Sequence, residues 1–429
     1  MIQSKIYVSV DIGSSTVKVI MAEMTGGDVH VLGVGEVRSS GIRKGTIVDI
    51  DATVQSIQEA VQEVERVTEI PVRDVIVGIP ANGVQLQQTK GVVAVSGEGR
   101  EITTDDLDHV LESAETMSVS PDRRIVTFVP HEFIVDKHSG IKDPRRMLGG
   151  RLEVDGVLFT SPRTLVHNIN KCIVRSGLQL IGMYIQPLAA GTFALTEEEK
   201  LHGTALLDIG ASATTLAVFK DGEMVDATVI PIGGDHITRD LSIVLKTPLE
   251  EAERIKRFYG HAYYDDASNE IFQVPMIGSD AMAEYSQKYV SEIIGARLEE
   301  LFELILEELY HMGVKDLPGG FVFTGGTTKV EGLLPLARDV FQTLVRIHTP
   351  RWISVREPMY TTALGLIQYA YKEDSFFHRD GEEPVPNVEE HYEEEAMYEE
   401  EADELERVSD QKKPTLWQRA KKVFDGFFE

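Results

Sequence analysis

The chain has 429 residues, a hydrophobic share of 42% and a formal net charge of −28 at pH 7. This length predicts roughly two to four domains with ample apolar residues to fill their cores. The acidic balance argues against a general nucleic-acid binder, which needs a basic face. The lone Cys172 excludes an intrachain disulfide framework. With neither a signal-peptide core nor an apolar run of membrane-spanning length, we expect an intracellular protein.

The first part of the chain alternates strands and helices. From Ile6 the sequence predicts a strand, a glycine-bearing turn and further strands. A helix is then predicted over 52–69 and a buried strand over 74–79. This alternation is typical of a nucleotide-binding α/β domain.

Residues 84–162 are predicted to form an inserted α+β subdomain. Their strands alternate polar and apolar residues, and turns are dense. The predicted elements are strands at 91–95, 125–129 and 132–135 and a helix at 104–117.

The α/β pattern returns with a helix at 163–176 and a strand at 179–185. Residues 247–313 then predict a helical insertion. The run from Thr247 to Glu250 predicts a capping box, with Pro248 at the first position of a helix that ends near Tyr259. A longer amphipathic helix follows, with Leu306 among its apolar residues, and ends at Gly313.

Near the end of the globular part, residues 321–328 predict a strand, a glycine turn and the start of a helix. Residues 361–371 predict a closely packed helix. The chain is predicted to be disordered after Lys372, because residues 382–406 contain thirteen acidic residues and no apolar periodicity. Such a segment extends by self-repulsion and acts as a tether.

Two segments about two hundred residues apart carry the same pattern, Val8 to Thr16 and Ala205 to Thr214. In each, an apolar run is followed by Asp-Ile-Gly and small, mostly hydroxylated residues. Backbone N–H groups and hydroxyls in such a turn can bind a phosphate, while the carboxylate coordinates a metal or its water. Either copy alone is better explained as an ordinary β-hairpin. The recurrence indicates a duplicated domain.

The candidate phosphate ligands therefore lie in these two hairpins: Asp11, Gly13, Ser14, Ser15, Thr16 and Lys18 in the first, and Gly210, Ala211, Ser212 and Thr214 in the second. The candidate metal ligands are Asp11 and Asp208.

Further candidate nucleotide ligands lie beyond the second hairpin. Helices are predicted to start at Gly233-Gly234 and at Gly325-Gly326-Thr327, and a helix N-terminus can receive a nucleotide phosphate. Glu253, Lys256 and Arg257 share one helix face and could hold a ribose or adenine edge. The alternative for these three is an exposed charged face.

Residues 414–429 are predicted to form an amphipathic helix beginning at Pro414. On its apolar side lie Leu416, Trp417, Val423, Phe424, Phe427 and Phe428, and outside that side lie Arg419, Lys421 and Lys422. Each cation contributes about 1 kcal/mol near anionic headgroups, so the helix should lie in the membrane interface rather than cross it. A core-packing helix is the alternative.

The order of these motifs resembles that of the actin/Hsp70/sugar-kinase superfamily across residues 5–371. The connecting motifs are Ile185 to Ala190 and 361–370, and no Gly-x-x-x-x-Gly-Lys-Ser/Thr loop supports a P-loop enzyme. Within that superfamily the chain resembles the FtsA family of bacterial cell-division actin homologues. The resemblance rests on the insertion with its runs at 129–136, 140–144 and 151–155, on the motif spacing, and on the terminal helix.

The resemblance implies an α/β fold of duplicated actin-like (ribonuclease H-like) domains with an inserted α+β subdomain. The implied parts are subdomain 1A at 1–83, 163–200 and 361–372; inserted subdomain 1C at 84–162; subdomain 2A at 201–246 and 314–360; helical subdomain 2B at 247–313; a disordered acidic linker at 373–413; and the membrane helix at 414–429.

The resemblance also implies ATP and Mg²⁺ as cofactors, with Asp11 and Asp208 positioning the hydrated metal. Asp208 and Gln186 are the candidate catalytic residues, Gln186 orienting the attacking water. Many relatives carry Glu at this position, and a neutral amide polarises water less, so nucleotide binding rather than turnover is predicted.

The implied function is structural. The chain would form protofilaments and lie on the cytoplasmic face of the plasma membrane at the septum. There it would tether the C-terminal tail of the tubulin-like FtsZ through 247–313 and recruit later division proteins, without binding nucleic acid. The alternatives are a small-metabolite kinase of the same superfamily, a pilus-assembly adaptor and the rod-shape actin.

Overall fold

The computed structural model describes residues 4–43, 45–95, 101–116, 119–278 and 281–377. The chain begins with three consecutive antiparallel strands, followed by a helix and a parallel strand. The elements are β1 (Lys5–Ile12), β2 (Thr16–Thr25), β3 (Asp28–Arg38), β4 (Ile42–Arg43), β5 (Thr46–Ile47), α1 (Ile50–Thr68) and β6 (Asp74–Ile79). The Asp49 side chain caps α1 by accepting from the amide of Ala52, which satisfies one of the free donors of the first turn.

The inserted subdomain is an antiparallel sheet with one helix. Its elements are β7 (Gln85–Ala94), α2 (Thr104–Glu115), β8 (Arg123–Val135), β9 (His138–Ile141) and β10 (Arg151–Pro162), and the sheet order is β7-β10-β8-β9. The predicted strands at 125–129 and 132–135 are parts of one strand, β8. The strand continues through Pro130, which has no N–H group for the ladder, and its pairing with β10 is irregular at this point.

The chain then returns to the first sheet and enters a second one. These elements are α3 (Arg163–Arg175), β11 (Gln179–Ile185), α4 (Gln186–Ala194), α5 (Glu197–His202), β12 (Thr204–Ile209), β13 (Thr214–Lys220), β14 (Glu223–Ile230), α6 (Gly234–Leu245) and α7 (Leu249–Phe258).

The remaining elements complete the second sheet and end in a long helix. They are β15 (Ile271–Pro275), β16 (Met282–Ser286), α8 (Gln287–His311), β17 (Phe321–Thr324), α9 (Leu333–Phe341), β18 (Val345–Ile347) and α10 (Thr361–Phe377). None of the helices in the described ranges is both long and apolar enough to cross a membrane.

The two five-stranded sheets have the same topology. The first has the order β11-β6-β1-β2-β3 and the second has the order β18-β17-β12-β13-β14. In each, the central strand pairs antiparallel with the next strand and parallel with a later one. We call the parts built on these sheets the first and second lobes. The repeated Asp-Ile-Gly therefore ends the same strand in both lobes.

Each lobe has its own apolar core. In the first, Ile20, Ile76 and Ile367 are buried, so the core joins the sheet to α10. In the second, Leu207 and Phe323 of the sheet pack in one cluster with Phe302 of α8. The aromatic rings of Phe302 and Phe323 lie 5.8 Å apart.

The structure differs from several local predictions. Thr247 forms no capping box: its buried hydroxyl donates to the carbonyl of Pro275, and Pro248 is the N-cap of α7 without a side-chain hydrogen bond. The predicted helical insertion also contains the β15-β16 hairpin. Leu306 is 41% exposed. The helix that begins at Thr361 continues to Phe377, past the predicted start of the linker.

The close approach of α10 to α4 depends on Gly365. A Cβ atom at this position would lie 2.4 Å from the carbonyl oxygen of Ala189, which is closer than real contacts allow. We expect Gly365→Ala to lower the free energy of unfolding by about 1 to 3 kcal/mol, the usual cost of overpacking, despite alanine's higher helix propensity. Urea unfolding of the full chain measures this loss.

The matched control is Glu299→Ala at an exposed position of α8, which should change the stability by less than about 0.5 kcal/mol. An unchanged or higher stability of Gly365→Ala would contradict the prediction.

Candidate functional site

The first hairpin positions an acidic and a basic side chain together. Asp11 and Lys18 are directly opposite in the β1-β2 pairing, so their side chains lie on the same face of the sheet. The Lys18 Nζ atom lies 3.3 Å from Asp11 Oδ2, and both side chains are buried. In the turn, the amide of Gly13 donates to the carbonyl of Thr16 at 3.1 Å. A side chain at Gly13 would collide with that carbonyl.

Gln186 completes the surroundings of Asp11. It is the first residue of α4, and its Nε2 donates to Asp11 Oδ1 at 2.9 Å. Gly78 of β6 leaves space for it, since a Cβ there would lie 2.6 Å from Gln186 Cγ. Sequence reasoning missed Gly78, although a glycine inside an apolar strand commonly marks such a close approach.

The second hairpin presents Asp208 at the equivalent position. Burial, followed by the charge of Asp11, raises the pKa of Asp208 to about 6, while Lys18 acts in the opposite direction. The hydroxyl of Thr362 donates to Asp208 Oδ2 at 3.1 Å and also favours the ionised form. The sequence analysis did not identify Thr362 as a site residue either. The one signal for it was its place near the start of α10.

The two hairpins meet directly. The hydroxyl of Ser212 donates to the hydroxyl of Ser14 at 2.6 Å. The equivalent carboxylates are also coupled, because the charge of Asp11 raises the pKa of Asp208. Ser15 is exposed beside this contact, and its carbonyl accepts from the amide of Ser39.

The loop after β17 approaches the second hairpin. Gly325 has a φ of 92°, and a Cβ there would lie 2.4 Å from Asp208 Oδ1. The hydroxyl of Thr327 donates to the carbonyl of Gly210 at 2.8 Å. The predicted helix at Gly326 is a 3₁₀ turn, Gly326–Lys329, so no α-helix N-terminus is formed at this point.

The N-terminus of α6 joins the same network. The amide of Gly234 donates to the carbonyl of Gly210 at 3.0 Å, and the amide of Asp235 donates to that of Ala211 at 2.7 Å. A Cβ at Gly233 would lie 2.5 Å from the Gly210 oxygen. Glycine is therefore required where α6 starts against the second hairpin.

The charged face of α7 contacts α6. Lys256 donates to the carbonyl of Gly234 at 3.0 Å and to the hydroxyl of Thr238 at 2.8 Å. Glu253 forms ion pairs with Lys256 at 2.6 Å and with Arg257 at 2.7 Å. Because the Arg257 side chain is 68% exposed, Lys256 is the member of this face that reaches the start of α6.

Some candidates are not brought to the cleft or are not described. Thr214 is fully buried, and its hydroxyl donates to the carbonyl of Ile232, so it supports the hairpin from inside the lobe. The predicted membrane residues fall outside the described residues: Leu416, Trp417, Arg419, Lys421, Lys422, Val423, Phe424, Phe427 and Phe428.

The two carboxylates suit a hydrated divalent cation. No group of three or more His, Cys, Asp and Glu side chains within the described ranges is arranged to hold a metal. Mg²⁺ commonly uses only one or two protein carboxylates and completes its shell with waters and phosphates. Asp11 is buried and Asp208 is partly exposed, and the charge of Asp11 acts against ionisation of Asp208. A divalent ion would relieve this repulsion, so the pair fits such an ion.

Comparisons with known proteins identify both the core and the insertion. A family model described as "Cell division protein FtsA" matches residues 205–365, and one described as "SHS2 domain inserted in FTSA" matches residues 81–160. The FtsA of Bacillus subtilis is 49% identical over 368 residues, covering 86% of this chain and 84% of the relative. The FtsA of Streptococcus pneumoniae is 41% identical, covering 85% and 80%.

Solved structures show the same fold at lower identity. A PilM-PilN type IV pilus biogenesis complex contains a chain with a TM-score of 0.58 and 18% identity, covering 84% of this chain and 97% of that one. MreB5 of Spiroplasma citri bound to ADP has a TM-score of 0.55 and 13% identity, covering 88% and 99%. These likenesses confirm the actin-like fold. The family follows from the sequence relatives: identities of 49% and 41% over most of both chains show that this chain belongs to the FtsA family of bacterial cell-division proteins.

Proposed function

We propose that this protein binds ATP with Mg²⁺ between its two lobes, assembles into protofilaments, and tethers FtsZ to the cytoplasmic face of the plasma membrane at the septum. Nucleotide binding is supported above all by one observation: two equivalent Asp-Ile-Gly hairpins, each following the central strand of an equivalent sheet, are in direct contact. Structural neighbours bound to ADP and to AMPPNP support it, since they share this fold.

The phosphates would be held from both lobes. Ser14 and Ser212 already lie within hydrogen-bond distance, so one phosphate oxygen could accept from both hydroxyls. Ser15, Thr16 and Lys18 would add contacts from the first lobe, and the turn from Gly210 to Ser212 would add backbone donors from the second. Thr214 contributes by holding this turn.

The base and ribose would lie where α6, α7 and the loop after β17 meet. Gly234, Thr327 and Lys256 converge there, because a Cβ at Gly234 would lie 2.7 Å from the Thr327 hydroxyl and 3.3 Å from the Lys256 ammonium. Gly326 would let a planar base approach the backbone, since a Cβ there would meet no atom nearer than Met359 Cβ at 3.9 Å. Arg257 would act from the rim.

Bound Mg²⁺ would neutralise phosphate charge, and Asp11 and Asp208 would hold its waters. The Gln186 amide donates to Asp11, which leaves its carbonyl oxygen to accept from an attacking water. A carboxamide orients water without removing its proton, so we expect slow hydrolysis. The chain's structural role does not require fast turnover.

Magnesium-nucleotide binding should weaken as the pH falls through about 6, because protonation of Asp208 removes one of the two metal-facing charges. Isothermal titration between about pH 8 and pH 5 measures this. Thr362→Val should move the midpoint upward, since it removes a hydrogen bond to the ionised form, whereas Thr362→Ser should retain it.

Asp208→Asn should cost about tenfold or more in affinity and abolish the acid limb. The control Asp316→Asn, at an exposed carboxylate, should do neither. A pH-independent affinity in the unmodified protein would contradict the assignment of Asp208.

Membrane attachment is assigned to residues 414–429 on their sequence pattern, with residues 373–413 as the linker. Replacing both Trp417 and Phe424 with glutamate should abolish flotation with anionic vesicles, because it removes apolar burial and adds repulsion. Nucleotide binding should be unchanged. The matched double replacement by leucine keeps the apolar side and should float. Unchanged flotation of the glutamate variant would refute the anchor.

We assign FtsZ tethering to subdomain 2B, residues 247–313. The division of the rest of the globular part into subdomains 1A, 1C and 2A is proposed together with it. Vesicles carrying the full chain should bring FtsZ into the floating fraction, and FtsZ lacking its C-terminal tail should stay in solution. Electron microscopy of the vesicle-bound protein with ATP tests for protofilaments. Failure to recruit intact FtsZ while flotation and ATP binding persist would remove the tethering function alone.

A further inference from the structure

A small cavity lies where the inserted subdomain, the first lobe and the second lobe come together. Its volume is about 130 Å³. The side chains around it are mostly apolar. Its lining includes Val157 and Phe159 from the insert, Leu188 and Lys200 from α4 and α5, and Phe219 and Glu223 from the β13-β14 hairpin.

The size and lining of the cavity suit one small ring. An engineered apolar cavity of about 150 Å³ in another protein binds benzene, and the volume of this cavity is of the same order. Aromatic and branched side chains on several sides, including Phe159, Phe219 and Leu188, would bury its apolar surface.

One lining residue adds an acidic group. The side chain of Glu223 is 18% exposed, and its Oε1 lies 2.7 Å from Nε2 of His131 on the insert. Other polar lining groups are engaged elsewhere: the Lys200 ammonium lies 3.0 Å from Glu197, and the Thr192 hydroxyl donates to the carbonyl of Leu188. Glu223 is engaged as well, by His131, but it supplies the only carboxylate among these lining residues, and the charge of Lys200, their only ammonium, is compensated by Glu197.

The electrostatic surroundings of Glu223 favour a cation. Burial raises the pKa of Glu223 to about 7, Lys142 acts against this, and Asp155 and Asp221 raise it further. Lys90 pairs with Asp155 at 2.8 Å, so part of the nearby positive charge is already compensated. A positive group in the cavity would stabilise the ionised carboxylate.

We propose that this cavity is a binding site for a small organic cation, an amine on a single aromatic ring or an equally short aliphatic group, with Glu223 as its counter-ion. This site is separate from the proposed nucleotide site at the two Asp-Ile-Gly hairpins. Because its walls come from the insert and both lobes, a bound ligand would hold these three parts in one arrangement.

The test compares benzylamine with benzyl alcohol, which has nearly the same shape but no charge. On the full chain at about pH 8, titration calorimetry should show at least about tenfold tighter binding of the amine, equivalent to roughly 1.4 kcal/mol. At about pH 6 the amine should bind about tenfold more weakly, since most Glu223 carboxyls are then protonated while the alkylammonium remains charged. The affinity for the alcohol should change little.

Three variants test whether the preference for the amine comes from Glu223 and whether both probes bind in this cavity. Glu223→Gln should remove the preference for the amine and most of its pH dependence. The matched control is Glu307→Gln, which alters an exposed glutamate 3.7 Å from His311 and should leave both affinities unchanged. Val157→Phe fills the cavity and should abolish binding of both probes, with thermal unfolding confirming that the variant is folded.

Equal affinities for the two probes, a pH-independent preference for the amine, or no binding of either would overturn the proposal. These comparisons use the unmodified protein and do not depend on a variant folding. Loss of benzylamine binding with ATP binding intact would reject this site alone, whereas the reverse would reject the nucleotide site alone.

Discussion

Two like charges facing each other across a cleft are the constraint on which this structure depends. Asp11 and Asp208 come from different lobes, and each ends the central strand of its sheet. Burial and the charge of Asp11 both favour the protonated form of Asp208 and raise its pKa to about 6, while Lys18 and the Thr362 hydroxyl favour its ionised form. At the other carboxylate, Asp11 pairs with Lys18 and accepts a hydrogen bond from Gln186.

This arrangement requires the connecting helices to be placed accurately. α4 carries Gln186 at its first residue, and α10 carries Thr362 at its second. The two helices approach closely at Gly365, so a displacement of one would alter hydrogen bonds at both carboxylates. The glycines at Gly78, Gly233 and Gly325 serve the same end, because each allows a neighbouring side chain or carbonyl to occupy the space of a Cβ.

The predictions from sequence succeeded where the determining interactions are local. The strand 179–185 has the predicted bounds, and the helices that begin at Thr104 and Arg163 start where predicted. Prediction was wrong where a distant group competes: the Thr247 hydroxyl bonds to Pro275 instead of capping α7, and the turn after Gly325 tightens into a 3₁₀ turn beside Asp208. Among the site residues, Thr214 was predicted to bind phosphate from its place in the repeated pattern. The pattern does not show which way its hydroxyl points, and in the structure that hydroxyl donates to the carbonyl of Ile232.

The sequence by itself indicated the duplication, because a strand that ends in Asp-Ile-Gly has the same local chemistry in both copies, and the order of its motifs implied the actin-like class by resemblance. Only the tertiary structure decided that Ser14 meets Ser212, that Gln186 and Thr362 each hold one carboxylate, and that a cavity lies beside Glu223. These contacts join residues more than one hundred positions apart, and their geometry depends on how the sheets, helices and insert pack, which hydrophobic periodicity does not encode.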